Sequence, residues 1–354
     1  MRDAPAYDLE AAVVGCLLGA AVGDALGLPR EGLAPQKARR LFGEEMRHRF
    51  VCGHGMVSDD TDHAAMTALA LLEGPASPED FARKLARRLR WWFAALPGGV
   101  GLATARACLR LWCGVSPERS GVFSAGNGPM MRAPVIGVAC ATDLERMRAY
   151  VRASTRLTHT DPKAERAAFA VALAASYRLR HGDAEPPAPA VLAEMAELLP
   201  DADDELQAVL HRAADPAPLD GRWPKGPGGY AYDTLLAVLH TWLNHPGRLP
   251  QALTTAILLG GDPDTIGAIL GGIAGANLGS ERIPAAWVAG ICEWPRSMAW
   301  LRRLGLALAA STAGDATARP PRYFAPGVLP RNAAFLALVL AHGMYRLVRT
   351  GSCR

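Results

Sequence analysis

The 354-residue chain is predicted to be an all-α protein, a single compact multi-helix bundle of roughly a dozen helices. Its apolar residues recur mostly at the three- and four-residue spacing of a helix. No run of four to eight residues alternates apolar and polar side chains with the β-branched enrichment of a strand. Half of the residues are hydrophobic, which is enough to bury a large core. We therefore expect one domain over residues 1–354, with 301–354 as a helical extension packed on it.

The expected helices have suitable residues at their ends. Ser58 precedes one helix, Ser77 and Pro78 open the next, and Gly74 and Gly182 stand where helices end. Stretches rich in proline and glycine separate the helices as loops. The clearest helical patterns cover residues 8–27, 61–74, 78–96, 161–182, 232–245 and 332–351, and the clearest loops cover 181–190, 215–230 and 319–331.

Net charge, cysteine content and apolar runs indicate which partners and which cellular compartment to expect. A net charge of +4 is small for this length, and basic and acidic residues are interspersed, so a nucleic-acid partner is not indicated. Seven cysteines without a CxxC pair indicate reduced thiols. The apolar run from Ala11 to Val22 is too short for a membrane span, and acids occupy the place of a basic signal region. We expect a cytoplasmic protein without a membrane partner; the sequence leaves its oligomeric state open.

Two segments carry glycines at strict four-residue spacing. They lie at positions 15, 19, 23 and 27 near the N-terminus, and at 267, 271, 275 and 279 near the C-terminus. A glycine inside a helix costs roughly 1 kcal/mol relative to alanine. Such a stripe makes a smooth groove on one helix face, so we expect the two helices to pack backbone to backbone.

Clustered acids stand at two helix starts. "SDDTD" contains Asp59 and Asp60, "GDPDT" contains Asp262 and Asp264, and "GDALGLPRE" adds Glu31. Acids at helix starts are often simple caps, and that reading stays open for either cluster alone. If the glycine helices bring the starts together, however, the acids would repel one another unless cations compensated them. Oxygen-only clusters suit Mg²⁺, Mn²⁺ or Ca²⁺ better than zinc.

Six ordered motifs resemble one family. They are "GCLLGAAVGDALGLPRE", "SDDTDHAAMTALAL", "SAGNGPMMRAPVIG", "TRLTHTDPKA", "GGYAYDTLLAVLHTWL" and "GGDPDTIGAILGGIAGANLG". In this order they resemble the ADP-ribosylglycohydrolases, the family of the dinitrogenase reductase-activating glycohydrolase, over about residues 11–300. The resemblance implies an all-α fold with a dinuclear metal site of two Mg²⁺ or Mn²⁺ ions. It also implies hydrolysis of the C1″ glycosidic bond between ADP-ribose and an acceptor such as a protein arginine or serine, with ADP-ribose as product.

The resemblance also assigns residues. Glu31, Asp60 and Asp262 would be the catalytic acids, and Gly126, Asn127 and Gly128 the loop that cradles the diphosphate. His159 would line the ribose and phosphate region, and Tyr230 would pack against adenine, although both types occur equally well in ordinary cores. Asp24 is expected to have a structural role beside the site. The implied metal ligands are Ser58, Asp59, Asp60, Asp262, Asp264 and Thr265.

Two positions depart from the family pattern. Pro263 lies between the last two acids, where it leaves both carboxylates in place. Ser124 stands three residues before Asn127, where some members, including the arginine-directed nitrogenase enzyme, have an acid proposed as general base. Its absence disfavours arginine specificity and leaves the role of base to Glu31 or to a metal-activated water. The alternatives are a catalytically inactive ADP-ribose binder or structural protein, and a hydrolase of a non-protein ADP-ribosylated substrate. The acceptor would be recognised by loops such as 30–57 and 215–230.

Overall fold

The computed structural model describes residues 8–182 and 187–351 and is helical throughout its core. It is 68% helical, and the described ranges contain no β-strand, which confirms the all-α prediction. The α-helices are α1 (Leu9–Gly27), α2 (Pro35–Phe42), α3 (Asp59–Leu72), α4 (Pro78–Ala94), α5 (Leu102–Trp112), α6 (Pro117–Ser120), α7 (Ala133–Ala139), α8 (Leu144–Arg156), α9 (Pro162–His181), α10 (Ala188–Leu198), α11 (Asp204–Ala214), α12 (Ala231–Asn244), α13 (Leu249–Leu258), α14 (Pro263–Leu278), α15 (Ala285–Ala289), α16 (Met298–Thr312) and α17 (Val328–Gly351).

Helices α1 and α14 pack backbone to backbone at the centre of the bundle, as the glycine spacing predicts. A methyl group added at Gly19 would overlap the carbonyl oxygen of Gly271, and one added at Gly271 would overlap that of Gly19. The same reciprocal overlap occurs between Gly15 and Gly275. Any side chain at these four positions would therefore push the two helices apart. Gly279 lies just beyond α14 and ends it, with φ of 87°.

The neighbours of this central pair position the site. Helices α3, α7 and α16 pack on α1, and α9, α12 and α13 pack on α14. Because α1 and α14 lie side by side, the start of α14 meets the end of α1 and the start of α3 at one end of the bundle. That end carries the acids identified in the sequence.

Two segments of the described chain are long and apolar enough to cross a membrane. In residues 9–30, 94% of the most apolar 18-residue window is buried inside the bundle, where α1 serves as a core helix. In residues 325–349, only 17% of the corresponding window is buried. The absence of a membrane partner therefore stays a prediction.

The C-terminal helix begins earlier than the sequence predicts. Helix α17 starts at Val328, inside the expected loop 319–331, because Pro330 falls in its first turn, where a missing N–H costs no hydrogen bond. The expected loop 181–190 is also shorter at its end, since α10 starts at Ala188; residues 183–186 of that loop lie outside the described residues. Loop 215–230 is confirmed between α11 and α12.

Candidate active site

The start of α3 is held in place by Asp24, which projects from α1. Its carboxylate accepts hydrogen bonds from the backbone N–H of Ser58 at 2.9 Å and from the hydroxyl of Thr61 at 2.6 Å. The Ser58 side chain caps the helix by accepting from the N–H of Asp60. Asp24 therefore has the structural role predicted for it, and Asp59 and Asp60 are not needed as caps.

The second helix start reaches the first directly. The Thr265 hydroxyl on α14 donates to Asp60 Oδ2 at 3.2 Å, and the Ser58 hydroxyl donates to the same oxygen at 3.1 Å. The two acid clusters thus converge in space although they are far apart in the chain.

Asp262 does not cap α14, contrary to the simple reading of its position. No backbone N–H of the helix bonds to its side chain. Instead, Asp262 Oδ2 accepts a 2.7 Å hydrogen bond from the side-chain amide of Asn127, which also donates to Thr234. Asn127 therefore ties its glycine-flanked loop to the start of α14.

These elements enclose a cleft of about 600 Å³, a volume typical of small-molecule sites. Three segments supply most of its wall: residues 99–104, which are a loop and the start of α5, and the loops 124–128 and 225–229; glycines are frequent in all three. Ser58 and Asp60 are buried behind the wall, and Tyr230 lies outside it. The predicted site residues in the lining are Glu31, Gly126, Asn127, Gly128, Asp59, His159, Asp262, Asp264 and Thr265.

The acids lie in an unfavourable electrostatic environment for carboxylates. Burial and the neighbouring charges raise the pKa values of Asp59, Asp60 and Asp264 well above the ordinary range. Desolvation by the surrounding chain, together with the charge of Asp262, raises the pKa of Glu31, although its side chain is open to solvent at the lip of the cleft. Mutual repulsion of this kind is expected where cations normally balance the charge.

The donor set fits hard divalent cations. Asp60 Oδ1 and Asp264 Oδ1 are buried and have no hydrogen-bond partner in the described parts of the chain. Unsatisfied buried oxygens are rare because each costs about 1–3 kcal/mol, so both are suited to accept a cation. Within the described ranges, however, no group of three or more His, Cys, Asp or Glu side chains lies close enough to hold one ion by itself. A dinuclear metal site therefore stays a prediction.

Two further predicted ligand-binding residues differ in placement. His159 lies between α8 and α9, is 3% exposed, and faces the Gly126–Gly128 loop. The Tyr230 hydroxyl donates to Glu205 at 2.8 Å and accepts from Lys163 at 3.0 Å, away from the cleft wall. Contact between Tyr230 and an adenine ring stays a prediction.

The sequence reasoning missed the loop between α4 and α5. Gly99 approaches Asp59 so closely that a methyl group at Gly99 would lie 2.5 Å from the carboxylate oxygen. Leu102 and Thr104, which follow this loop, also line the cleft. The signal that could have found it is the dense glycine run "PGGVG" at 97–101, because glycine allows a close approach of the backbone.

Comparison with known proteins identifies one family. Residues 5–318 match the sequence model of the family described as ADP-ribosylglycohydrolase. A protein of Archaeoglobus fulgidus named only as uncharacterized is 32% identical over 285 residues, which are 78% of this chain and 90% of that protein. The ADP-ribosyl-[dinitrogen reductase] glycohydrolase of Rhodospirillum rubrum is 26% identical, over 78% of this chain and 88% of its own length.

Two further similarities extend the comparison. The ADP-ribosylhydrolase ARH3 of Xenopus tropicalis is 29% identical, over 77% of this chain and 89% of its own length. A solved structure named ADP-ribosylglycohydrolase-related protein complex superimposes with a TM-score of 0.66 at 29% identity, covering 86% of this chain and 99% of that one. The family match ends before α17 begins.

Proposed function

This chain belongs to the ADP-ribosylglycohydrolase family, and from that premise we propose that it is a metal-dependent hydrolase that removes ADP-ribose from a modified acceptor. The observation that carries the proposal is the convergence of the two acid-bearing helix starts, joined by the Thr265–Asp60 hydrogen bond beside the cleft. The bond cleaved would be the glycosidic bond at C1″. Water would add its hydroxyl to that carbon, and the acceptor would leave with the proton.

The metal requirement follows from the same acids. Divalent cations held by Ser58, Asp59, Asp60, Asp262, Asp264 and Thr265 would supply Lewis-acid activation of the attacking water. Thr265 and Ser58 both donate to Asp60 Oδ2, which leaves Oδ1 of the same carboxylate without a partner in the described chain. The hydroxyls therefore orient the carboxylate so that Oδ1 is the oxygen open to a ligand.

Glu31 is the proposed proton acceptor. Its side chain lies at the lip of the cleft, within reach of solvent, and its raised pKa brings it closer to the value useful for a general base. Hydrolysis at an anomeric carbon passes through an oxocarbenium-like transition state, so a base must be available on the side from which water attacks. Ser124, also in the lining, has no acidic group and cannot take this role.

The loops of the cleft would position the ligand. The Gly126–Gly128 segment is tethered by the Asn127–Asp262 hydrogen bond and by a backbone bond from Asn127 N–H to the Gly229 carbonyl at 2.9 Å. A loop fixed in this way would hold the diphosphate relative to the acids without rearranging. Lys225 is exposed on the adjoining loop, 225–229, and would add a positive charge at the mouth of the cleft.

The test is a panel of substrates in which ADP-ribose is linked to arginine, serine, cysteine or a nucleic-acid end. Each would be incubated with the full chain and Mg²⁺, Mn²⁺ or a chelator, and released ADP-ribose would be measured. We expect release from one linkage class, only with metal. Binding of ADP-ribose by calorimetry without hydrolysis of any substrate would instead favour the non-catalytic alternative. Equal release in chelator would contradict the metal requirement.

A further inference from the structure

Arg132 is a fully buried cation without a carboxylate partner. It ends the 3₁₀ turn Met130–Arg132 behind the cleft and is 0% exposed. Its guanidinium donates to four neutral acceptors: the hydroxyl and the carbonyl of Ser154 at 3.0 Å, His63 Nδ1 at 3.1 Å, and Thr158 Oγ1 at 2.8 Å. No ion pair involves Arg132 within residues 8–182 and 187–351.

Two partly buried arginines of this protein are paired with carboxylates, whereas Arg30, which is 2% exposed, has no ion pair within the described residues, like Arg132. Arg331 pairs with Glu293, and Arg296 pairs with Asp62 at 3.0 Å. A buried charge is costly unless an opposite charge compensates it. The hydrogen bonds use four of the five N–H groups of Arg132 but leave its charge unbalanced. What distinguishes Arg132 is that its hydrogen bonds lead through Thr158 to His159 in the lining of the cleft.

The hydroxyl of Thr158 determines which ring nitrogen of His159 carries the hydrogen. Arg132 can only donate, so Thr158 Oγ1 accepts from it. The other described partner of this hydroxyl is His159 Nδ1, at 2.8 Å. The hydroxyl has one hydrogen, and Nδ1 is the acceptor for it within the described chain; if Nδ1 donated instead, this buried hydrogen would have no partner there. Nδ1 is then unprotonated, and in a neutral ring the hydrogen resides on Nε2.

The Nε2 edge of His159 faces the ligand loop. A methyl group at Gly126 would lie 2.8 Å from Nε2, and one at Gly128 would lie 3.0 Å from the adjacent ring carbon. Both glycines and His159 line the cleft. Burial, with the charge of Arg132, lowers the pKa of His159 to about 3, so the ring is neutral at physiological pH.

We propose that Arg132, acting through Thr158, is a positioning residue that holds His159 as its Nε2–H tautomer, so that the cleft presents one fixed donor to a phosphate oxygen. The choice of a phosphate group rests on the proposed function. A donor is what an anionic group requires, whereas an Nε2 lone pair would repel it.

Thr158 offers a cleaner test than Arg132, because Arg132→Met would remove four buried hydrogen bonds and could unfold the chain. Thr158→Val removes the hydroxyl at almost constant volume, and Thr158→Ser restores it. Thr155→Val is the matched control. Thr155 is equally buried on the same turn, but its hydroxyl has no partner in the described chain. All variants would first be checked for native circular dichroism.

Two measurements decide the proposal. Nitrogen-15 NMR of labelled histidines, with His159 assigned from His159→Gln, reports the tautomer without ligand. Calorimetric titration with ADP-ribose reports binding. We expect the Nε2–H signature in wild type, Thr158→Ser and Thr155→Val, and an averaged signature in Thr158→Val. We expect Thr158→Val alone to bind ADP-ribose about tenfold more weakly, equivalent to ~1.4 kcal/mol.

The contrary results are distinct. An Nδ1–H signature in wild type, or an unchanged single signature in Thr158→Val, would overturn the tautomer relay whatever the ligand. Equal ADP-ribose affinity in wild type and Thr158→Val would overturn the role of the donor. If wild type showed the Nε2–H signature but bound no ADP-ribose, the relay from Arg132 would be supported, and the phosphate role would fall together with the proposed function.

Discussion

Thr265 on α14 donates a hydrogen bond to Asp60 on α3 at 3.2 Å, across 205 positions of the chain. The contact forms because the glycine faces of α1 and α14 let the two helices approach until their backbones touch. Asp24 then fixes the start of α3 against the end of α1. The site is therefore a product of helix packing, and each part of that packing can be tested.

The first prediction concerns Asp60. Asp60→Asn keeps the shape of the side chain but removes its charge, so we expect turnover to fall by about 100-fold or more, since metal-assisted catalysis supplies several kcal/mol. In chelator the same variant should have a higher Tm than wild type. Burial and neighbouring acids raise the pKa of Asp60, so its ionised form is unfavourable in the fold at neutral pH. ADP-ribose release and thermal unfolding measure the two effects.

The control for this variant is Asp62→Asn. Asp62 belongs to the same helix turn, but its carboxylate accepts from Trp92 Nε1 at 2.9 Å and pairs with Arg296 at 3.0 Å. We expect Asp62→Asn to lose stability and keep turnover. If Asp60→Asn and Asp62→Asn lost similar amounts of activity, the loss would come from disturbing the start of α3 and not from removing the Asp60 carboxylate.

The second prediction concerns the central helix pair. Gly271→Ala should destabilise the protein by several kcal/mol, in the upper range for single substitutions, because the added methyl group overlaps the backbone of Gly19. Gly343→Ala in α17 is the control: a methyl group there meets no atom within 4 Å, and the change should stabilise by about 1 kcal/mol through helix propensity. Urea unfolding measures both. A neutral Gly271→Ala would contradict the observed backbone contact.

The third prediction concerns pH. The pKa of His159 is lowered from 6.5 to about 3 by burial and by the charge of Arg132. Between pH 6.5 and pH 3 the unfolded chain therefore binds a proton on His159 that the folded chain does not. Protonation favours the unfolded state, so the free energy of unfolding falls as the pH falls from 6.5 toward 3. Relative to His159→Gln, wild type should lose about 1.4 kcal/mol per pH unit over the middle of that range.

Wild type and His159→Gln must be compared at each pH, because the buried acids change the free energy of unfolding with pH in the direction opposite to His159. Their raised pKa values make the folded state bind protons first, so acidification through their titration range favours folding. This contribution is common to wild type and variant and cancels in the difference. A difference in the free energy of unfolding that stays constant between pH 6 and pH 4 would contradict the lowered pKa.

The fourth prediction concerns the last helix. Arg331 on α17 pairs with Glu293, and the pair holds both backbone groups of Val57, at 2.6 and 3.1 Å, just before the acids of α3. Arg331→Met would leave Glu293 buried without its partner, at a cost of about 3–5 kcal/mol. Arg47→Met, which breaks an exposed pair with Glu45, should cost less than about 1 kcal/mol. Chemical denaturation would show whether Arg331→Met lowers the free energy of unfolding more than Arg47→Met does.

Much of the fold could be predicted because its signals are local. Helical periodicity and capping residues place α1, α3, α4, α9 and α12 close to their observed bounds. The start of α17 differs from the prediction because proline usually indicates a loop, whereas the first turn of a helix tolerates it. The glycine run at 97–101 was missed because its partner, Asp59, is not adjacent in sequence.

The sequence alone determined that the chain is helical, that two glycine-striped helices pair, and that it carries the motifs of the ADP-ribosylglycohydrolase family. These properties depend on spacing along the chain. Only the tertiary structure decided how neighbouring acids divide their roles: Asp24 holds backbone, Asp62 holds Trp92 and Arg296, and Asp60 keeps an oxygen free of protein partners in the described chain. The physical reason is that a carboxylate's role depends on the donors that packing brings to it, and those donors come from distant helices.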